Sequence, residues 1–167
     1  MTFEAASRIN WEKIQKILGE DSVLVGYRNS DSHYSGLSMA ELAEVLSFDH
    51  FNPQGAFVPA RPHLLEGLEE AKPEIQKSVK KYFETLVETG QRNGDAVGQV
   101  CLDAVKEYLD SGILKGIAPN ALSTIKAKGH DFPDIDTGEL EKGLVYIFIR
   151  GNNVAVSTPT RQLPEQT

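Results

Sequence analysis

Leu144-Val145-Tyr146-Ile147-Phe148-Ile149-Arg150, then Gly151-Asn152-Asn153, then the β-rich residues 154–158, is the stretch whose reading decides the fold. Two apolar runs around a Gly-Asn-Asn turn predict an antiparallel hairpin. Ahead of it, Val97, Val100, Cys101, Ala104, Val105, Tyr108 and Leu109 recur at helical spacing and form one apolar stripe, closed by Gly112. A second long helical pattern runs through Leu65, Leu68, Ile75, Val79, Tyr82 and Leu86. Pro73 interrupts it, so a break is expected near Ala71. Pro62 suits the first position of that helical pattern, where a missing N–H leaves nothing unpaired. Gly90 and Gly94 bracket the loop between the two.

Further out, residues 3–18 have Trp11, Ile14 and Leu18 on one helical face, with Gly19 as a stop. Residues 22–27, with Val23 and Val25, read as a strand expected to join the hairpin's sheet. Ser38-Met39-Ala40-Glu41 is a capping box, flanked by Leu37 and Leu42 at the positions of a hydrophobic staple. A short helix should follow to about Leu46. Residues 49–58 contain Asn52-Pro53 and Gly55 and read as an irregular loop. The expected architecture is a single α+β domain over residues 1–158, a small antiparallel sheet packed against two long helices plus shorter ones. Residues 159–167 are polar and are expected to form a disordered tail.

A chain of 167 residues can bury a core without disulfides or metals. Its hydrophobic fraction of 40% and charged fraction of 25% are those of an ordinary globular domain. A net charge of −7 argues against nucleic acid as the main partner, since phosphate binding needs clustered Lys and Arg. No apolar run approaches membrane-spanning length. The single cysteine, Cys101, excludes an internal disulfide and lies on a helix stripe, where a small core residue is expected. The glycines at 90, 94 and 98 do not follow a strand into a helix, so they make no phosphate cradle. No nucleophile elbow or dinucleotide fingerprint is present, and neither cofactor nor small-molecule substrate is expected.

Three places could carry chemistry. Arg61 stands between Pro59-Ala60 and Pro62-His63. Held there, it is either a rigid fork for a neighbour's carboxylate or a surface side chain in a stiff turn. His130, Asp131, Asp134 and Asp136 are oxygen and nitrogen donors that could hold a cation, but they lack a metal-site pattern, so a solvated acidic loop is expected. Asp136-Thr137-Gly138 matches the water-activating loop of aspartic proteases, in which two copies pair their carboxylates. One copy would require a homodimer, and the triplet follows Phe132-Pro133-Asp134 instead of a buried apolar strand. As a tight turn it needs no chemistry.

Taken in order, several motifs resemble a group of small tailed-bacteriophage proteins that complete the neck or tail during virion assembly. They are Val58-Pro59-Ala60-Arg61-Pro62-His63-Leu64, Ala118-Pro119-Asn120-Ala121-Leu122-Ser123-Thr124-Ile125, and Asp134-Ile135-Asp136-Thr137-Gly138-Glu139-Leu140 leading into the strand that starts at Leu144. The likeness covers residues 23–149 and includes the early strand, the capped helix and the two long helices. The chain departs from the pattern at Leu46-Ser47-Phe48-Asp49-His50, at His63 and at Gly143, where a His-Glu-aromatic-Gly segment, an aromatic and a serine are usual.

The resemblance implies a structural, non-enzymatic protein of head-tail joining or tail completion, working as a ring. It would be made in the host bacterial cytoplasm and built into a virion, with itself and other neck or tail proteins as partners. Pro59, Arg61, Pro62, His63, Asp134 and Asp136 are then the interface candidates, with Arg61 and residues 47–60 facing the acidic segment 130–136 of a neighbour. The alternative is a homodimeric aspartic protease. A prophage remnant that no longer assembles is a third reading.

Overall fold

The structure, a computed structural model, describes residues 21–29, 31, 33, 35–53, 55–131 and 139–150, together with the backbone of residues 153–155. The expected helix over 3–18, the interface candidates Asp134 and Asp136, the Asp136-Thr137-Gly138 turn and the tail 159–167 lie outside the described residues.

Strand β1 (Ser22–Tyr27) pairs antiparallel with β4 (Leu144–Arg150), with Leu24 opposite Ile147 and Tyr27 opposite Leu144. Strand β5 (Asn153–Ala155) pairs with the other edge of β4, with Arg150 opposite Asn153. The sheet order is therefore β1-β4-β5, and the expected hairpin and first strand share one sheet. Alternation sorts the side chains. Leu144, Tyr146 and Phe148 are buried, and Val23, Val25 and Tyr27 pack against the core beside them. Ser22, Leu24, Gly26, Val145, Ile147 and Ile149 take the outer face.

Helix α1 (Met39–Leu46) starts at the expected capping box. Ser38 Oγ accepts from the Glu41 backbone N–H at 3.2 Å, and Glu41 Oε2 accepts from the Ser38 backbone N–H at 2.8 Å. These bonds to Ser38 hold the Glu41 pKa below its ordinary value. After α1 the chain differs from the expected irregular loop. Strands β2 (His50–Phe51) and β3 (Phe57–Val58) pair in a two-stranded ribbon.

The interrupted helical pattern resolves into α2 (His63–Glu70) and α3 (Lys72–Thr89), which meet at Ala71 with Pro73 in the first turn of α3. Pro62 stands one residue before α2 rather than inside it, because its ψ of 57° is not helical. Helix α4 (Asp95–Asp110) is the central element. Its buried residues include the expected stripe, Val100 being only half-buried, and also Leu102, at 2% exposure. The buried face is wider than one stripe because α4 packs against α2 and α3 and also against strands β1 and β4 of the sheet. Cys101 is buried there, and burial pushes its thiol pKa up, away from a nucleophilic thiolate.

Two glycines set α4 onto the sheet. A Cβ at Gly94 would overlap the Phe148 ring, and one at Gly98 would overlap the Tyr146 ring. A third, Gly67 of α2, sits where a Cβ would come 3.0 Å from the Val105 backbone of α4. The glycine spacing 94–98 is thus a packing device between helix and strand.

Three short helices complete the described chain: α5 (Ile113–Ile117), α6 (Leu122–Lys128) and α7 (Glu139–Gly143), the last running straight into β4. The core joins Met39 of α1, Leu102, Val105, Tyr108 and Leu109 of α4, Leu114 of α5, Leu140 of α7, and Leu144 and Tyr146 of β4.

Candidate functional site

The segment between α1 and α2 is built from its base outward. The Leu46 carbonyl accepts from the Arg61 backbone N–H at 2.6 Å, and Asp49 Oδ1 accepts from the Ala60 backbone N–H at 2.7 Å. These two bonds bring the ends of residues 47–60 together. Beyond them, β2 and β3 pair His50 with Val58 and Phe51 with Phe57. A side-chain-assisted turn closes the tip. Asn52 Oδ1 accepts from Ala56 N–H at 2.8 Å, the Asn52 carbonyl accepts from Gly55 N–H at 2.8 Å, and Gly55 takes a φ of 78° that a side chain would strain. A two-stranded ribbon this short does not hold itself together. Here the base bonds and the turn bonds hold it from both ends.

Arg61 anchors this loop to a distant part of the chain. It is buried, at 8% exposure. Nε donates to the Ala118 carbonyl at 3.1 Å, while Nη2 reaches the Asn120 Oδ1 at 3.3 Å and the Pro119 carbonyl at 3.5 Å. Arg61 is therefore not the exposed fork expected from its Pro-flanked position. The side chain turns inward, because the turn between α5 and α6 offers three oxygens that the planar guanidinium can meet together. The piece 118–125, expected as a turn, is a turn followed by the helix α6.

His63 is fully buried at the start of α2. Its Nδ1 lies 3.2 Å from the Arg61 carbonyl, which can only accept. In the neutral ring, Nε2 then accepts from the Tyr27 hydroxyl at 2.9 Å. The Tyr27 and His63 rings meet edge to face at 5.9 Å. Of the expected interface residues, Arg61 and His63 are thus internal ties, linking the loop to the α5–α6 turn and to β1. Pro59 and Pro62 are half-buried beside them.

What this segment does show to solvent is aromatic. Phe48, Phe51 and Phe57 are 65%, 71% and 58% exposed, and the Phe51 and Phe57 rings stack edge to face at 5.8 Å. Sequence reasoning missed these residues. The available signal was the absence of Lys, Arg, Asp and Glu from residues 50–60 in a chain that is 25% charged.

The other places hold less. Of the acidic segment, His130 and Asp131 are described; nearby, His33 Nε2 lies 3.7 Å from Glu139. Among the described residues no group of three His, Cys, Asp or Glu is placed to hold a metal ion, and no helix is long and apolar enough to cross a membrane. A cavity of about 370 Å³ is lined by Gly90, Gln91, Arg92, Asn93 and Arg150. Both its arginines are engaged within the chain, Arg92 Nε with Asp21 at 3.0 Å and Arg150 with the Arg92 carbonyl.

The fold and site define an α+β domain with a pinned, aromatic-tipped loop as its distinctive surface. No family model matches the chain, and neither does any curated protein or solved structure.

Proposed function

We propose that this chain is a structural protein of a tailed bacteriophage or prophage, acting at the neck or tail end of the virion in head-tail joining or tail completion. It works through protein–protein contacts, as one subunit of a ring, without a cofactor or a small-molecule substrate. It is made in the host cytoplasm and leaves it inside the particle. The observation that carries the reading is the meeting of two motifs. The Pro-Ala-Arg-Pro piece and the Ala-Pro-Asn piece lie 57 to 59 residues apart, and Arg61 joins them into one clamp. Two motifs that stand in the order of the neck and tail proteins are then parts of a single unit, which supports taking their likeness as one feature rather than two coincidences.

The test is deletion of the gene from a lysogen, followed by induction and electron microscopy. Loss of the protein should leave filled heads and separate tails, or tails with unfinished ends. Normal tailed particles from the deletion strain would reject the reading. An Asp136→Asn chain supplied in trans should restore assembly, whereas a protease would not tolerate the change.

A further inference from the structure

Asn93-Gly94 is the one Asn-Gly pair in the chain, and it lies in the loop where α3 gives way to α4. An asparagine before a glycine carries an electrophile, its side-chain amide carbon, next to a nucleophile, the following backbone nitrogen. Glycine leaves that nitrogen unshielded, because no side chain stands over it. The structure adds to this. Asn93 is exposed, so water and hydroxide reach it. Its Oδ1 accepts from the Asp95 backbone N–H at 2.9 Å, which folds the side chain back along the main chain, over the Gly94 nitrogen. The same N–H draws electrons from the amide carbonyl. It faces the oxygen on which negative charge collects during attack, at the positive end of a 16-residue helix.

Two other asparagines show the contrast. Asn52 precedes Pro53, whose nitrogen has no hydrogen to lose. Asn120 is buried, with its Oδ1 held by Arg61, and precedes Ala121.

We propose that Asn93 is a self-modification site, at which the folded chain deamidates to aspartate and isoaspartate. Hydroxide takes the Gly94 N–H proton, the nitrogen lone pair attacks Asn93 Cγ, and the Cγ–Nδ2 bond breaks. Nδ2 takes a proton from water and leaves as ammonia, and a five-membered succinimide remains. Water then opens the ring at either carbonyl. The net change is one water consumed and one ammonia released, with no oxidation or reduction. Opening at Cγ gives an aspartate at position 93. Its carboxylate keeps an acceptor for the Asp95 N–H and puts a negative charge at the start of α4, in the cavity lined by Arg92 and Arg150. Opening at the main-chain carbonyl gives isoaspartate, which lengthens the backbone by one carbon just before Gly94. Gly94 has no room to absorb it, being buried where even a Cβ would overlap the Phe148 ring. The isoaspartyl form therefore loosens the seat of α4 on β4. This chemistry is independent of the virion reading.

Peptide mapping by mass spectrometry tests it, on the purified full chain incubated at neutral and mildly alkaline pH. Position 93 should convert from amide to acid ahead of every other asparagine, as both isomers, and faster as the pH rises. Asn93→Gln, whose ring would need one more member, should stay intact over the same time. Asp95→Pro removes the N–H donor at the first helical position, where proline is tolerated. It should react about fivefold more slowly, the weight of one exposed hydrogen bond. Asp95→Ala keeps that N–H and should react like the wild type. Should the proline variant unfold, the wild type in urea, which has lost the turn, takes its place and should show the same slowing. A folded wild type that keeps Asn93 intact while other asparagines convert would overturn the site. An undiminished rate without the donor would overturn the part given to the turn. The isoaspartyl fraction, separated by ion exchange, should unfold at lower denaturant than the aspartyl fraction, and identical midpoints would overturn the coupling to α4.

Discussion

Replacing Arg61 by alanine removes three donor contacts at once and leaves the Ala118 carbonyl and the Asn120 side chain short of a partner in a buried place. We expect a loss of about 2–4 kcal/mol in denaturant unfolding. Arg61→Lys should also destabilise, because a point-like ammonium cannot meet oxygens spread across a planar fork. An unchanged midpoint for both variants would refute the clamp. Tyr82 offers a pH test. Its hydroxyl donates to Asp21, a carboxylate side chain only 5% exposed. Burial first, and then the Asp21 hydrogen bond and charge, push its pKa up to about 12. The unfolded chain gives up this proton near pH 10, before the folded chain does. The contribution is therefore whole below about pH 10 and is lost as the pH rises to about 12. Tyr82→Phe should flatten the fall in stability over that interval, and an identical slope would show that Tyr82 is not coupled to folding.

Among the elements, α4 decides the packing, and its glycines mark how closely it approaches β4. Gly98→Ala would raise helix propensity by about 1 kcal/mol but force a methyl group into the buried Tyr146 ring. Overpacking of this kind costs about 1–3 kcal/mol, so the variant should be less stable on balance. Gly116 of α5 is the control, because a Cβ there meets nothing within 4 Å. Gly116→Ala should be neutral or stabilising by up to about 1 kcal/mol. Equal effects at the two positions in thermal unfolding would mean that the helix–sheet contact is looser than described.

For the molecule as a whole, the aromatic tip of the ribbon lies outside the hydrophobic core. Phe51 and Phe57 are mostly in solvent, so changing both to serine should move the unfolding free energy of the isolated chain by no more than about 0.5 kcal/mol. A large loss of stability would show that the ribbon belongs to the folding core. The polar ties lie inside. Tyr27, His63, Arg61 and Asn120 connect β1, the loop, α2 and the α5–α6 turn through hydrogen bonds that span up to 59 residues of sequence.

Local chemistry made much of this legible in one dimension. The β1 and β4 strands, the Ser38–Glu41 cap, the break at Ala71 and most of the buried stripe of α4 depend on spacing, capping and proline geometry within a few residues. The short elements were not legible, because α5, α6, α7 and the β2–β3 ribbon are too short to show periodicity. Arg61 shows the other limit. Its sequence neighbours, two flanking prolines, predicted a stiff surface position, and the residues that draw it inward stand 57 and 59 places away. Whether a charge faces solvent or a distant carbonyl, and whether a phenylalanine fills a core or waits on the surface, depends on long-range packing, and only the tertiary structure decides it.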